Sequence, residues 1–284
     1  MRTCLAIDVG GTKLAAGLVD EDGAVLAWER CDTPPGADAE TLFAALAALV
    51  GRLDGDPVAC GVGCGGPMTD ELVSPLNIPG WRDFPLRRRL SELTGLATFV
   101  DNDAKALALA EGWVGAAAGV DNFVAMVVST GVGGGVVLDG RLLDGAGGNA
   151  GHIGHVIVTP GGRRCACGAR GCLEAEASGP SIAAATGRPA AEAGPEVVRR
   201  TGTLVGRAVA SVANLLDLQL AAVGGSVALG FGEPFFAAAQ REVNRRCRIG
   251  FARGTRVVPS RLGSTGGVIG GAAVAWRALA GPPP

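Results

Sequence analysis

The chain has 284 residues, of which 48% are hydrophobic and 47 are glycine, so it can form two domains of ordinary size with many tight turns. The 25 Lys and Arg residues against 27 Asp and Glu residues give a net charge of −2, which predicts no nucleic-acid or membrane partner. The apolar start of the chain is too short for a signal peptide, and the sequence contains no apolar run of about 18 residues. We therefore expect a soluble, cytoplasmic protein with reduced cysteines.

The first motif is a glycine turn between two predicted strands, at 3–9 and 14–19. The turn reads Asp8-Val9-Gly10-Gly11-Thr12-Lys13, and a third strand is predicted at 24–31. A strand–turn–strand arrangement is neither a Walker P-loop nor a dinucleotide fingerprint. Its backbone N–H groups and the Thr12 hydroxyl can nevertheless bind phosphate, and Asp8 can hold Mg²⁺ through water. An ordinary hairpin is the alternative.

A helix is predicted at 38–53, a strand at 57–63, a helix at 84–93 and a strand at 97–100. The loop at 65–81 contains many glycines and prolines together with Asn77. A long loop inside a compact domain is usually functional, although a plain surface loop is the other interpretation.

The segment Asp101-Asn102-Asp103 comes directly after a predicted strand and before a helix predicted at 104–113. Acidic and amide side chains at this position can act simply as a helix cap. Alternatively, Asp103 is a general base and Asn102 orients a substrate hydroxyl.

The stretch 121–139 repeats the design of the N-terminus. A strand at 123–128 leads into a glycine turn at 129–135, and a second strand follows at 136–138. Two similar hairpins predict an internal duplication, with a phosphate-binding turn in each half of the chain.

The remainder is predicted to alternate helices and strands. Helices are predicted at 178–186, 195–216, 234–246 and 266–280, and strands at 218–223 and 256–259. The strand at 218–223 ends in Gly224-Gly225-Ser226, a turn suited to packing against a nucleoside. The end of the chain, at 281–284, is predicted to be frayed.

Three cysteines and a histidine have the spacing of a metal site. Cys165, Cys167 and Cys172 follow a C-x-C-x4-C pattern, ten residues after His155. A Cys3His donor set is typical of a closed tetrahedral Zn²⁺ site, which is structural and not catalytic. Three buried thiols beside an unrelated histidine are the alternative.

Taken together, these segments resemble the ROK family (repressors, open reading frames and sugar kinases), whose fold is the two-domain α/β fold of the actin-like, ribonuclease-H-like ATPases. The resemblance covers nearly the whole chain. Its most specific part is the block 147–174, G-H-x9-C-x-C-G-x2-G-C-x-E, which includes the zinc-stabilised loop.

The resemblance implies an ATP-dependent kinase that phosphorylates the 6-hydroxyl of a hexose, with Asp103 as the base that removes the hydroxyl proton. It implies sugar contacts from Gly65, Asn77, Asn102, Asp103, His152, His155 and Glu174. It implies ATP and Mg²⁺ binding by Asp8, Gly10, Gly11, Thr12, Lys13, Thr130, Gly131, Gly133, Gly224 and Gly225. It also implies Zn²⁺ on His155, Cys165, Cys167 and Cys172. We expect domains at 1–114 with 267–284 and at 115–266 around a cleft, and the resemblance implies a homodimer.

One departure from the family pattern affects the sugar. Sugar kinases of the family usually carry Glu-x-Gly-His, whereas this chain has His152 at the first position. A carboxylate accepts two hydroxyl hydrogen bonds, while a neutral imidazole accepts one and donates one. Either the preferred sugar differs from glucose near C2 and C3, as in an amino sugar such as kanosamine, or the enzyme is a weak, broad hexokinase.

Two other classes of protein compete with the kinase hypothesis. Repressors of the family carry an additional DNA-binding domain before the first glycine turn, and here Asp8 leaves little room for one. The alternative function is a catalytically weak or inactive sugar-binding or regulatory protein. His152 favours that alternative mildly, while Asp8, Asp103 and both glycine turns favour an enzyme.

Overall fold

The structure, a computed structural model, describes residues 1–281. The frayed end predicted at 281–284 lies outside these residues apart from Gly281, and the last three positions of the predicted C-terminal segment lie outside them as well. The described chain forms two compact units. The first contains Met1–Val114 and the segment that begins at Leu262, and the second contains Gly115–Arg261.

The first unit is built on a five-stranded sheet in the order β3-β2-β1-β4-β5. Its strands are β1 (Thr3–Val9), β2 (Lys13–Asp20), β3 (Val25–Asp32), β4 (Cys60–Cys64) and β5 (Thr98–Asn102). Its helices are α1 (Ala39–Val50), α2 (Leu86–Thr94), α3 (Asp103–Trp113) and α9 (Gly266–Ala280). The central strands β1 and β4 are almost entirely buried, as their continuous apolar sequences require.

The second unit has a five-stranded sheet in the order β10-β9-β6-β7-β8. Its strands are β6 (Phe123–Val128), β7 (Val132–Leu138), β8 (Arg141–Leu142), β9 (Leu220–Gly224) and β10 (Arg256–Pro259). Its helices are α4 (Leu173–Ala177), α5 (Gly179–Thr186), α6 (Pro195–Leu216), α7 (Ser226–Phe231) and α8 (Glu233–Arg246). Short 3₁₀ turns occupy Ile153–His155, Ala190–Glu192, Gly250–Ala252 and, in the first unit, Gly263–Thr265.

The two sheets have the same topology. In each, a hairpin pairs the first two strands antiparallel, and the first strand also pairs in parallel with a later strand, β1 with β4 and β6 with β9. A further parallel pair follows in each sheet, β4 with β5 and β9 with β10. This repetition confirms the internal duplication that the two glycine hairpins predict.

Glycines allow the helices to approach their neighbours closely. A Cβ at Gly202 or at Gly206 of α6 would collide with a backbone carbonyl of α8, from Phe235 and Ala239 respectively. In the first unit, a Cβ at Gly61 of β4 would collide with the Gly271 carbonyl of α9. Close backbone contact therefore positions α6 against α8, and α9 against the sheet.

The helices of residues 1–281 include none that combines the length and apolar character needed to cross a membrane.

Candidate active site

The first glycine turn joins β1 to β2, and backbone hydrogen bonds hold it in place. Gly10 N–H donates to the Lys13 carbonyl at 2.9 Å, while the Thr33 hydroxyl donates to the Gly10 carbonyl at 2.7 Å. Thr33 N–H also donates to the Thr12 carbonyl at 3.0 Å. Gly11, Thr12 and Lys13 themselves are exposed. The turn therefore has a braced backbone and an accessible outer surface, as a phosphate site needs.

The loop at 65–81 approaches this turn at Asn77. A Cβ at Gly11 would lie 2.6 Å from the Asn77 Cβ and 2.9 Å from its carbonyl oxygen. Any side chain at position 11 would push the loop away, so glycine is required by the close approach. The contact places Asn77 next to the predicted phosphate turn within the same unit.

Two carboxyl groups come together where β1 and β5 end. Asp8 is partly buried at the end of β1, and Asp103 is the first residue of α3. Burial, together with the nearby Asp103 carboxylate, raises the pKa of Asp8 to about 7. A carboxyl group whose ionisation is disfavoured by burial and by a second carboxylate nearby is typical of a site that binds a cation or moves a proton.

The neighbours of this pair come from three elements. Asn102 is the N-cap of α3 and accepts from Ala104 N–H at 3.0 Å, while Asp103 Oδ1 accepts from the same N–H at 2.8 Å. A Cβ at Gly65 would lie 4.0 Å from Asp103 Oδ2. A Cβ at Gly267, in the first turn of α9, would collide with the Asp8 carboxyl. Asn102 thus serves as the cap, and Asp103 occupies the first helical position beside it.

An ion pair that the sequence prediction missed lies behind this segment. The Asp101 carboxylate accepts from Asn102 N–H at 2.7 Å and pairs with Lys105 Nζ at 2.8 Å. Lys105 is 4% exposed. The i,i+4 spacing of an Asp and a Lys around a helix start was a visible signal of this pair. It holds the backbone that carries Asn102 and Asp103.

The second glycine turn is shorter than predicted. Ser129 N–H donates to the Gly131 carbonyl at 2.9 Å, and β7 begins at Val132. The predicted turn at 129–135 is therefore wrong in its second half, and Gly133 lies within β7, paired with Val127. The glycines are needed here for packing, since a Cβ at Gly134 would lie 2.9 Å from the Ile153 side chain. Thr130 is exposed.

The turn after β9 meets the second glycine turn in the same unit. Gly225 has a φ of +94°, and a Cβ there would collide with the Val128 carbonyl at the end of β6. The hydroxyls of Ser129 and Ser226 lie 2.8 Å apart in a hydrogen bond. Gly224 ends β9. The second unit therefore brings Thr130, Gly131, Gly224 and Gly225 into one region.

The cysteines and His155 form a cluster whose geometry fits a zinc ion. The four ligand atoms of His155, Cys165, Cys167 and Cys172 all lie within 4.8 Å of one another. His155 Nδ1 is 3.7 Å from Cys165 Sγ, and Cys167 Sγ is 3.7 Å from Cys172 Sγ. Ligands about 2.3 Å from a tetrahedral zinc are about 3.8 Å apart. The donor set and its spacing therefore suit Zn²⁺.

The predicted sugar-binding residues of the second unit lie on the segment of the chain that carries this cluster. The His152 and His155 rings are exposed, with centroids 6.0 Å apart and planes inclined by 30°. Glu174 lies on α4, a five-residue helix that the sequence analysis did not predict. Its Oε2 accepts from Val132 N–H at 2.9 Å. Glu174 thus contacts the second glycine turn directly.

The duplicated sheets and the paired carboxyls at a strand end are typical of the actin-like α/β phosphotransferases, and the relatives and solved structures that match this chain include sugar kinases. The ROK family model matches residues 4–278, and the chain belongs to this family. It is 40% identical over 248 residues to the N-acetylmannosamine kinase of Escherichia fergusonii, covering 81% of this chain and 85% of that protein.

Solved structures show the same fold. The ROK hexokinase of Thermus thermophilus is 34% identical with a TM-score of 0.85, over 98% of this chain and 100% of that one. A ROK glucokinase of Streptomyces griseus, in complex with glucose and AMPPNP, is 31% identical with a TM-score of 0.83, over 98% and 99%.

Proposed function

We propose that this protein uses ATP to phosphorylate the 6-hydroxyl of a hexose, with N-acetylmannosamine as the preferred sugar. The observation that carries the kinase assignment is the Asp8 and Asp103 carboxyl pair beside the first glycine turn. In the reaction, the sugar O6 forms a bond to the γ-phosphorus, the bond to the ADP oxygen breaks, and Asp103 takes the hydroxyl proton. Positioning and neutralisation of charge supply most of the rate enhancement in such transfers.

The cofactor assignments follow from the donor groups. Asp8 would hold Mg²⁺, which neutralises phosphate charge when bound, and the exposed turns at Thr12 and Thr130 would contact the ATP phosphates. The Cys3His cluster would hold a structural Zn²⁺ and so keep the loop that carries His152 and Glu174 rigid.

The choice of sugar rests on His152. An acetamido group presents a carbonyl oxygen, which accepts a hydrogen bond, and an N–H group, which donates one. An imidazole N–H at position 152 can donate to that carbonyl, whereas the usual glutamate could only accept from the N–H and would repel the carbonyl oxygen. The name of the relative in Escherichia fergusonii, at 40% identity, supports the same substrate. Glucose is the second candidate, favoured by the names of the Thermus and Streptomyces structures.

Three further assignments belong to this proposal. We assign the two domains to 1–114 with the C-terminal helix and to 115–266, whereas the compact units divide after Arg261 and place residues from Leu262 in the first unit. Cytoplasmic location is supported by eight free cysteines, which suit a reducing compartment. The family resemblance supports a homodimer. The net charge of −2 supports the absence of nucleic-acid and membrane partners.

The test is an ATP-coupled kinase assay with N-acetylmannosamine, glucose, mannose, N-acetylglucosamine, glucosamine and kanosamine. We expect the highest kcat/KM with N-acetylmannosamine, and a loss of at least a thousandfold in Asp103→Asn, because the base is removed. Failure of every sugar to turn over, in folded protein that binds zinc, would instead favour an inactive sugar-binding protein.

A swap at position 152 tests the sugar assignment. His152→Glu should lower kcat/KM for N-acetylmannosamine relative to glucose by about ten- to a hundredfold, the effect of one hydrogen bond to a charged group. His152→Gln is the matched control, because its amide can still donate to the acetamido carbonyl. An unchanged ratio of the two sugars in His152→Glu would refute the role of His152 in selecting the sugar.

A further inference from the structure

The Glu174 side chain contacts the second glycine turn at its hinge with β7. Val132 N–H donates to Glu174 Oε2 at 2.9 Å, and a Cβ at Gly131 would lie only 3.1 Å from the same oxygen. Val132 is buried, so its N–H group needs a partner inside the protein. The carboxylate of Glu174 therefore supports the backbone of the turn.

The rest of the turn is also supported by the segment that surrounds the metal cluster. A Cβ at Gly154, between the two histidines, would collide with the Val132 carbonyl. Gly179 N–H, at the start of α5, donates to the Ser129 carbonyl at 2.8 Å. The Ser181 hydroxyl in turn donates to the Glu174 carbonyl at 3.0 Å. Both ends of the turn are thus attached to the part of the chain that carries the proposed sugar-binding residues.

The contacts continue to the turn after β9. The Ser129 hydroxyl lies 2.8 Å from the Ser226 hydroxyl, and Gly225 packs against the Val128 carbonyl. A continuous series of short contacts therefore runs through the second unit, from Glu174 through the phosphate turn to the predicted nucleoside turn.

We propose that Glu174 is a positioning residue that couples sugar binding to nucleotide binding. A carboxylate has two oxygens and about four acceptor sites, so one oxygen can hold the Val132 N–H while the other accepts from a sugar hydroxyl. A sugar that fixes Glu174 would then order the phosphate turn before ATP is bound. This coupling rests on the proposed kinase function, and thermodynamic reciprocity requires the nucleotide to strengthen sugar binding equally.

The alternative is that Glu174 only binds sugar. In that case its replacement would weaken sugar binding and leave nucleotide affinity in the absence of sugar unchanged. The coupling predicts instead that nucleotide affinity falls even when no sugar is present, because the turn has lost the acceptor for Val132 N–H. Sugar-free nucleotide binding therefore separates the two roles.

The experiment is isothermal titration calorimetry of the full-length protein with ADP and Mg²⁺, with and without N-acetylmannosamine. Without sugar, Glu174→Ala should weaken ADP binding about tenfold, as the loss of a buried hydrogen-bond acceptor predicts. Glu174→Gln should remain within about threefold of wild type, because its side-chain carbonyl can still accept from Val132 N–H. Glu196→Ala, which removes an exposed glutamate in the first turn of α6, is the matched control and should bind ADP as wild type does.

Glu174→Asp provides a second variant if Glu174→Ala does not fold, since it keeps the charge but is one methylene too short to reach Val132. It should also weaken sugar-free ADP binding. Wild-type ADP affinity in the Ala or the Asp variant would overturn the coupling, as would equal losses in Gln and Ala. If the wild-type protein itself fails to bind ADP, the proposed kinase function is wrong and the coupling is wrong with it.

Discussion

Replacing Asp8 by Asn removes a carboxyl group whose ionisation the folded protein disfavours. Burial, with the nearby Asp103 carboxylate, raises the pKa of Asp8 from 3.8 to about 7. Between about pH 4 and pH 7 the folded protein therefore binds more protons than the unfolded chain at this group. Its stability consequently falls as the pH rises through this range, and the full cost is present above pH 7. An asparagine at position 8 does not titrate and avoids this cost.

The size of the effect follows from the shift in the Asp8 pKa. A change of about three pKa units corresponds to about 4 kcal/mol at 1.36 kcal/mol per unit. Asp8 is only partly buried, so screening by water reduces this to about 2–4 kcal/mol. Asp8→Asn should therefore raise the unfolding temperature at pH 8 by about 5–10 °C, with little change near pH 4. The same variant should lose most kinase activity, because the proposed Mg²⁺ ligand is gone.

The assay is thermal unfolding of wild type and Asp8→Asn from pH 4 to pH 8 without Mg²⁺, nucleotide or sugar. Asp103→Asn is the informative companion variant, since removing the neighbouring charge should lower the Asp8 pKa and recover part of the stability. An unfolding temperature of Asp8→Asn at pH 8 that is equal to or lower than that of wild type would show that the fold does not disfavour the ionised Asp8 carboxylate. The pH-dependence of the difference, more than its absolute size, decides the question, because a two-unit protein need not unfold in one step.

Two further predictions concern positioning and the metal cluster. Gly267→Ala should lower kcat at least tenfold, because the new Cβ would displace the Asp8 carboxyl. The stability of the protein should be kept, because alanine favours the helix more than glycine does. Gly250→Ala, where the space is open, is the control, and full activity in Gly267→Ala would contradict the argument. Cys167→Ser should reduce zinc content measured by a chelator dye and lower the unfolding temperature. Cys31→Ser, outside the cluster, should do neither, and equal zinc content in both variants would rule out the proposed site.

Most elements could be predicted from local patterns in the chain. The predicted helix at 195–216 coincides with α6, because Pro195 starts it and an apolar stripe with a 3.6-residue period runs through it. The turn at 129–135 was predicted too long, because a run of glycines indicates a turn even where pairing with β6 makes it a strand. Helix α4 was missed, because five residues are too short for a periodic signal.

Some features of the candidate site could likewise be predicted from local sequence, whereas others depend on the tertiary structure. Short segments of the sequence were sufficient to predict the metal cluster, the fold and the class of enzyme. The spacing of Cys165, Cys167 and Cys172 predicted the metal cluster, and the glycine turns with the family resemblance predicted the fold and the class of enzyme. The pairing of Asp8 with Asp103 and the contact of Glu174 with Val132 join segments far apart in sequence. Such contacts depend on how strands and helices pack, and the energies of burial and charge that act there arise only once the chain has folded.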